Sequence, residues 1–162
     1  ALTVEPTASY WDCAEYISTS AKLQVGHPPG APLFQMLGAF FSSFAFEVEK
    51  IALMVNMMSV FASAFTILFL FLTITIIGKK IVLKNNPISN SNTIIILGSS
   101  LIGSLCLAFS DSFWFNAVEA EVYAMATMIM ALLFWLGFKW EENMDKKGGD
   151  RWLILILSLI HI

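Results

Sequence analysis

The sequence predicts an all-α, polytopic transmembrane protein, and its composition and the positions of its charges support that fold class. Of the 162 residues, 57% are apolar and only 13% are charged. A soluble globular domain has about 45–50% apolar and about 25% charged residues. The net charge of −3 also argues against the basic surface that a nucleic-acid-binding protein needs, so no nucleic-acid partner is expected.

Long uncharged stretches predict three membrane-spanning helices. Residues 51–78, 93–110 and 122–138 contain no charged side chain over 28, 18 and 17 residues. A helix that crosses a membrane needs about 20 mostly apolar residues. We therefore expect full spans at 51–77, 93–110 and 117–138.

Two shorter apolar stretches lie outside these spans. Residues 31–46 are uncharged over 16 residues, and prolines punctuate their start. This segment is either a short span or a helix that lies in the membrane interface. Residues 152–162 cover only half a span, so we interpret them as the start of a truncated one. On this interpretation the chain is the N-terminal fragment of a larger multi-pass protein.

The basic residues predict the orientation in the membrane. Seven of the nine lie in the segments 78–92 and 139–151, which the positive-inside rule assigns to the cytoplasm. The loop 1–30, expected to contain a helix, and the turn 111–116 then face outward, unless 31–46 crosses and moves 1–30 inside. Eight of the twelve acidic residues gather at the outer face: Glu5, Asp12, Glu15, Glu47, Glu49, Asp111, Glu119 and Glu121.

Two carboxylates in the outer loop are candidates for chemistry. Thr7 or Ser9 is placed to cap a helix that begins near Tyr10, on which Asp12 and Glu15 are spaced i,i+3. Their Cβ atoms would lie about 5–6 Å apart. Mutual repulsion would raise one of the two pKa values, which suits a general base with a helper, or a metal site. The competing interpretation is the solvated polar face of an interfacial helix.

A rigid turn and a second acidic motif follow. Gly26-His27-Pro28-Pro29-Gly30 would fix the approach of His27, although a lone histidine is also common in purely structural roles. On a helix, Glu119 and Tyr123 share a face, whereas Glu121 lies about 200° away from Glu119. Both glutamates therefore enter one cavity only if the first helical turn is irregular. Their structural alternative is stabilisation by the helix N-terminus.

The remaining polar residues have simpler interpretations. Asn56, Ser59, Ser63 and Thr66 recur every three or four residues in the first span, where small polar side chains usually pack helices together. The two cysteines, Cys13 and Cys106, are expected to be free thiols.

The order of these motifs closely resembles a multi-pass bacterial membrane family catalogued as domain of unknown function 2723. That family is similar to protein O-mannosyltransferases and other glycosyltransferases of the GT-C fold. The resemblance covers roughly residues 4–152, and Leu157–Ile162 do not resemble the family's continuation. The matching motifs are Trp11-Asp12-Cys13-Ala14-Glu15, Gly26-His27-Pro28-Pro29-Gly30, Asn56, Asp111-Ser112-Phe113-Trp114 and Glu119-Ala120-Glu121-Val122-Tyr123.

The resemblance implies transfer of a sugar from a polyprenyl-phosphate donor to an acceptor hydroxyl at the outer membrane face. By motif position Asp12 is the catalytic base and Glu15 a second carboxylate. The implied partners are membrane lipid, the lipid-linked donor, and an acceptor protein or glycan. The implied location is a bacterial inner membrane with the site facing the periplasm, and the fragment alone is expected to be inactive. Substrate contacts are expected from His27, Asp111, Glu119, Glu121 and Tyr123, and any divalent metal would be held by Asp12, Glu15 and Glu119.

Two other functions compete with this one. A transporter or channel subunit would use the acidic outer mouth to attract cations, although carriers usually place ionisable residues near the midplane of several spans. The central parts of the spans predicted here carry no charge. A non-catalytic membrane assembly protein would tolerate replacement of the outer carboxylates.

Overall fold

The computed structural model describes residues 2–9, 11–28, 30–84 and 86–161, and this part of the chain is all-helical, without a strand. The predicted fold class is confirmed. A single turn of 3₁₀ helix, Val48–Lys50, leads directly into the longest helix. The α-helices are α1 (Cys13–Lys22), α2 (Pro32–Ser42), α3 (Ile51–Val82), α4 (Asn90–Ala108), α5 (Asp111–Ala117), α6 (Val122–Glu141) and α7 (Asp150–Ile160).

Three of the described helices, α3, α4 and α6, are long and apolar enough to cross a membrane. The chain is therefore a membrane protein with three candidate spans, as the uncharged stretches predict. Helix α3 continues beyond the predicted end at residue 77 and carries Lys79 and Lys80 in its last turn. Cations at that position are favoured by the helix dipole.

Helix α2 covers most of the apolar residues 31–46. It has 11 residues, which corresponds to a length of about 16 Å at 1.5 Å per residue. The hydrocarbon core of a membrane is about 30 Å thick. Helix α2 is therefore shorter than the thickness of the hydrocarbon core, and its place in the membrane stays a prediction.

The predicted third span begins later than expected. Residues 111–116, predicted as a turn, belong to α5, and α6 begins only at Val122. The intervening residues 118–121 are irregular, and the Val118 carbonyl accepts a hydrogen bond from the Glu5 backbone N–H at 3.1 Å. That carbonyl would otherwise bond within a continuous helix. We call residues 118–121 the link.

The predicted start of the first helix is also wrong. Tyr10 lies outside the described residues, and α1 begins at Cys13 with Asp12 at its N-cap. Neither expected capping residue performs that role. Thr7 bonds the side chain of Glu5, and the Ser9 hydroxyl bonds Glu119 instead.

The chain divides into two compact units, of which the first comprises residues 1–64 and 111–127. In this unit α1 packs on α2. Tyr16 lies edge-on to the buried ring of Phe34, with 5.2 Å between ring centroids. A Cβ at Gly38 would approach the Ser20 hydroxyl to 2.5 Å, so only glycine permits this close contact. The hairpin of α1 and α2 fixes the loop between them, which carries His27.

The second unit comprises residues 65–110 and 128–162. Aromatic contacts join its helices: Phe69 lies 5.5 Å from Trp135, and Trp135 lies 6.4 Å from Trp152, between ring centroids. Lys80 pairs with Glu141 and lies over the Phe138 ring. Both cysteines are free thiols, as predicted, with Cys13 buried and Cys106 exposed.

Candidate active site

The loop between α1 and α2 returns His27 to the surface of α1. Leu23 ends α1 in the left-handed conformation, with φ of 50°, and the Gln24 N–H donates to the Thr19 carbonyl at 2.8 Å. Gly30, with φ of 75°, donates its N–H to the His27 carbonyl at 2.9 Å. A positive φ is easily adopted by glycine, which explains its place in this turn. Pro29, part of the predicted rigid turn, lies outside the described residues.

Glu15 binds His27 twice. Its Oε1 accepts the His27 backbone N–H at 2.7 Å, and its Oε2 lies 2.9 Å from the His27 Nδ1. These hydrogen bonds, the backbone one first, lower the pKa of Glu15. The side-chain bond and the negative charge of Glu15 raise the pKa of His27. The two groups therefore favour the ion pair of carboxylate and imidazolium.

Asp12 lies on the other side of the same imidazole ring. Its Oδ2 is 3.9 Å from the His27 Nε2, and 54% of its side chain is exposed. The charge of Asp12 adds to that of Glu15 in raising the pKa of His27. His27 thus lies between two carboxylates, of which Glu15 is fully engaged and Asp12 is open to solvent.

We expect Glu15→Gln to lower the pKa of His27 toward its ordinary value of 6.5, because the neutral amide removes the charge that stabilises the imidazolium. An NMR titration of histidine-labelled protein measures this shift directly. An unchanged His27 titration would show that Glu15 is not its partner in solution.

The link brings a second pair of carboxylates into this unit. Glu119 and Glu121 are buried, with exposed fractions of 6% and 8%. Ser9 donates a hydrogen bond to Glu119. Burial first, and then the charges of Glu119 and Asp12, raise the pKa of Glu121 to about 7, although the Val122 N–H and His27 act in the opposite direction.

Tyr16 lies near these carboxylates, although it was not among the site residues predicted from the sequence. Burial raises its pKa most, followed by the charges of Glu121, Asp12, Glu15 and Tyr123. Its ring also lies 6.2 Å from the His27 ring. The signal was present, since Tyr16 follows Asp12 by four residues and therefore shares its helix face.

Electrostatic interactions with Tyr16 or Glu121 connect all but one of the predicted site residues. Asp111 is exposed at the first position of α5, and among the described residues no hydrogen bond or ion pair joins it to the others. The sequence predicts that Glu119 and Glu121 lie together only if the first helical turn is irregular, and residues 118–121 are irregular. We call the following residues the acidic cluster: Asp12, Glu15, Tyr16, His27, Glu119, Glu121 and Tyr123.

Three members of the acidic cluster lie close enough together to hold a metal ion. One ligand atom from each of Asp12, Glu15 and His27 lies within 4.8 Å of the other two. Carboxylate oxygens and an imidazole nitrogen suit divalent transition metals. Among the described residues His27 therefore takes the place of Glu119, the third ligand expected from the sequence.

An N-terminal segment, residues 4–9, connects the two halves of the acidic cluster, and we call it the strap. The Glu5 N–H and the Ser9 hydroxyl bond the link, at Val118 and Glu119. The Asn56 amide on α3 bonds the strap in turn, at the carbonyls of Glu5 and Thr7. From the sequence, Asn56 was expected to pack helices together and was one of the motifs matching the resembled family, without a role at the site.

Comparison with known proteins places this arrangement in a family. The family model described as the protein O-mannosyl-transferase TMEM260 N-terminal domain matches residues 12–162. The chain belongs to that family. The match includes every residue of the acidic cluster and extends through Leu157–Ile162, which the sequence argument had set apart.

A curated relative supports the same assignment. The protein O-mannosyl-transferase tmem260 of Dictyostelium discoideum is 28% identical over 137 residues, or 84% of this chain. The chain spans only 15% of the length of that relative. No solved structure matches the chain significantly. The predicted relationship to protein O-mannosyltransferases is confirmed at the level of the family.

Proposed function

We propose that this protein is a membrane glycosyltransferase of the GT-C superfamily, within the multi-pass family called domain of unknown function 2723. It transfers a sugar from a polyprenyl-phosphate donor to a hydroxyl of an acceptor protein or glycan. The observation that carries the proposal is the acidic cluster, in which carboxylates from two distant segments meet outside the three candidate spans. Membership in a family named for a protein O-mannosyl-transferase supports the reaction class.

Asp12 is the proposed catalytic base. Both oxygens of Glu15 are engaged by His27, whereas the Asp12 carboxylate is half exposed and free to accept a proton. The acceptor oxygen bonds to the anomeric carbon as its proton passes to Asp12, and the bond from that carbon to the phosphate oxygen breaks with inversion. Polyprenyl phosphate leaves with the bonding electrons. Glu15 holds His27 as an imidazolium, whose charge favours the donor phosphate.

The other cluster residues bind substrate in this proposal. Glu119, Glu121 and Tyr123 present acceptors and a donor for sugar hydroxyls. Asp12, Glu15 and His27 also fit a divalent cation, which would displace the His27 proton and would neutralise the phosphate charge in place of the imidazolium. Loss of transfer on chelation, with recovery on adding one metal, would establish that requirement; full activity in chelator would exclude it.

The proposed site faces away from the cytoplasm, which in a bacterium is the periplasmic side of the inner membrane. The basic segments 78–92 and 139–151 support this orientation through the positive-inside rule. Helix α2 would lie in contact with lipid at the outer interface. In a Cys106→Ser background, an impermeant thiol reagent should label Gln24→Cys in intact cells and Lys84→Cys only after permeabilisation. The reverse pattern would overturn the orientation.

The decisive experiment is a transfer assay with the purified full-length protein. The protein is incubated with an acceptor protein and a panel of polyprenyl-phosphate sugars, beginning with mannose. We expect acceptor-dependent release of polyprenyl phosphate and matching incorporation of sugar. Nucleotide sugars without lipid carrier should give neither product. Absence of transfer from every lipid-linked sugar would contradict the proposal.

A further inference from the structure

Asn56 lies on a candidate membrane span, yet its side chain is fully buried and completely hydrogen-bonded. Its Nδ2 donates to the Glu5 carbonyl at 2.7 Å and to the Thr7 carbonyl at 3.0 Å. Its Oδ1 accepts the Cys13 thiol, with 3.8 Å between sulfur and oxygen. Both amide hydrogens and the amide oxygen therefore have partners.

The three partners of Asn56 enclose Asp12 in the chain. Glu5 and Thr7 precede Asp12, and Cys13 follows it directly. The Cys13 side chain is fully buried, so the residue next to the proposed base is anchored in the protein interior. The chain on both sides of Asp12 is thus bonded to a single side chain of α3, through two backbone carbonyls before Asp12 and through the Cys13 thiol after it.

The strap extends this connection to the other half of the acidic cluster. Glu5 is bound at its carbonyl by Asn56, and its N–H donates to the Val118 carbonyl in the link. Ser9 adds the bond to Glu119. Asn56 is therefore the point at which the segments of Asp12 and of the buried glutamates are both attached to α3.

We propose that Asn56 is a positioning residue, which sets the position of the Asp12 carboxylate relative to Glu119 and Glu121. This role rests on the proposed function, because it concerns the geometry of sugar transfer. Helix packing alone requires only a small side chain at this place. The Asn56 amide, in contrast, uses all its hydrogen-bonding atoms on the segment around Asp12. It therefore fixes the position of that segment as well as the distance between packed helices.

The neighbouring Ser59 provides a matched control. It is also buried on α3, one turn further on, and its hydroxyl has no partner among the described residues. Ser59→Ala therefore changes a buried polar residue of the same helix without releasing the strap. We expect this variant to keep the transfer rate of the wild type.

The test measures kcat and KM of the full-length protein for the lipid-linked donor. Asn56→Asp keeps the size and the acceptor oxygen but removes the amide N–H donors, and Asn56→Ala removes all three bonds. We expect both to lower kcat by about 10–100-fold, as misplacement by about 1 Å does, while KM changes little. Hydrogen exchange should increase in residues 4–9 and 118–121.

Ser9→Ala keeps the proposal testable if the Asn56 variants do not fold. Ser9 is half-buried, and this variant cuts the bond between the strap and Glu119 without touching α3. We expect a smaller fall in kcat, and no additional fall when it is combined with Asn56→Ala, since both act through the strap. A purely structural role would leave kcat of the folded Ser9→Ala protein unchanged.

The outcomes separate the two proposals. If the wild type transfers sugar and folded Asn56 variants match its kcat, the positioning role is overturned and the proposed function stands. If the Asn56 variants do not fold, an unchanged kcat in Ser9→Ala overturns it equally. If the wild type transfers no lipid-linked sugar, the proposed function fails and the positioning role fails with it.

Discussion

Asp12→Asn in the full-length protein is expected to abolish sugar transfer, with kcat lower by about 10²–10⁴-fold, the usual contribution of a general base. The amide has the shape of the carboxylate but does not accept the acceptor proton. KM for the donor should change little, because the substrate contacts assigned to Glu119, Glu121 and Tyr123 are intact. The measurement is release of polyprenyl phosphate under saturating donor and acceptor.

The fold should tolerate this change. The Asp12 side chain is 54% exposed, and its contact with His27 is 3.9 Å long. Glu49→Gln is the matched control, because Glu49 is another exposed carboxylate and lies outside the acidic cluster, in the turn before α3. Its replacement should not reduce transfer. Wild-type activity in Asp12→Asn would remove Asp12 from the role of base.

The competing functions predict different results for the same variants. An assembly protein would keep its function after either substitution. A channel with an acidic mouth would lose cation attraction by similar amounts with Asp12→Asn and with Glu49→Gln, since an exposed rim charge acts at long range. Only a catalytic role makes Asp12 critical while Glu49 is dispensable.

The spans could be predicted from the sequence because their signal is local. A stretch without charges, such as residues 51–78, must form a helix if it enters lipid, whatever the rest of the chain does. The predicted start of α3 at Ile51 agrees with the structure for this reason. Its end extends to Val82, because Lys79 and Lys80 are compatible with a helix that reaches beyond the apolar core.

The acidic cluster was predictable only in part. Residue type and helical spacing single out Asp12 and Glu15, because these positions lie on one local stretch of chain, and the same spacing would have added Tyr16. The link before α6 bonds the strap, and the bonded residues Ser9 and Glu119 are 110 residues apart in sequence. Asn56 meets Glu5 over 51 residues. Contacts between residues so far apart leave no periodic pattern in the sequence. The irregular link and the hydrogen bonds of Asn56 could therefore be found only in the structure.

Glu121→Gln is expected to stabilise the protein at pH 8 while it lowers the rate of transfer. The pKa of Glu121 rises from an ordinary 4.5 to about 7 in the folded protein, through burial and the charges of Glu119 and Asp12. Below pH 4.5 the carboxyl group is protonated in both the folded and the unfolded chain. Between these values the unfolded chain releases the proton first, so the folded state loses stability as the pH rises.

Above pH 7 this loss reaches its full size, which a shift of about 2.5 units makes of order 3 kcal/mol. A neutral glutamine removes it. The melting temperature of Glu121→Gln should therefore exceed that of the wild type at pH 8 and approach it at pH 5. Equal differences at the two pH values would contradict the raised pKa.

A gain in stability at pH 8 together with a loss of transfer distinguishes a functional carboxylate from a structural one. A structural glutamate would lower stability when it is replaced, because its partners would lose hydrogen bonds. Glu121 instead lies where burial and like charges oppose its ionised form, a cost that folded proteins commonly retain at sites where the charge is used. If Glu121→Gln gains stability at pH 8 and loses transfer, the acidic cluster is maintained for its chemistry, at the expense of the stability of the fold.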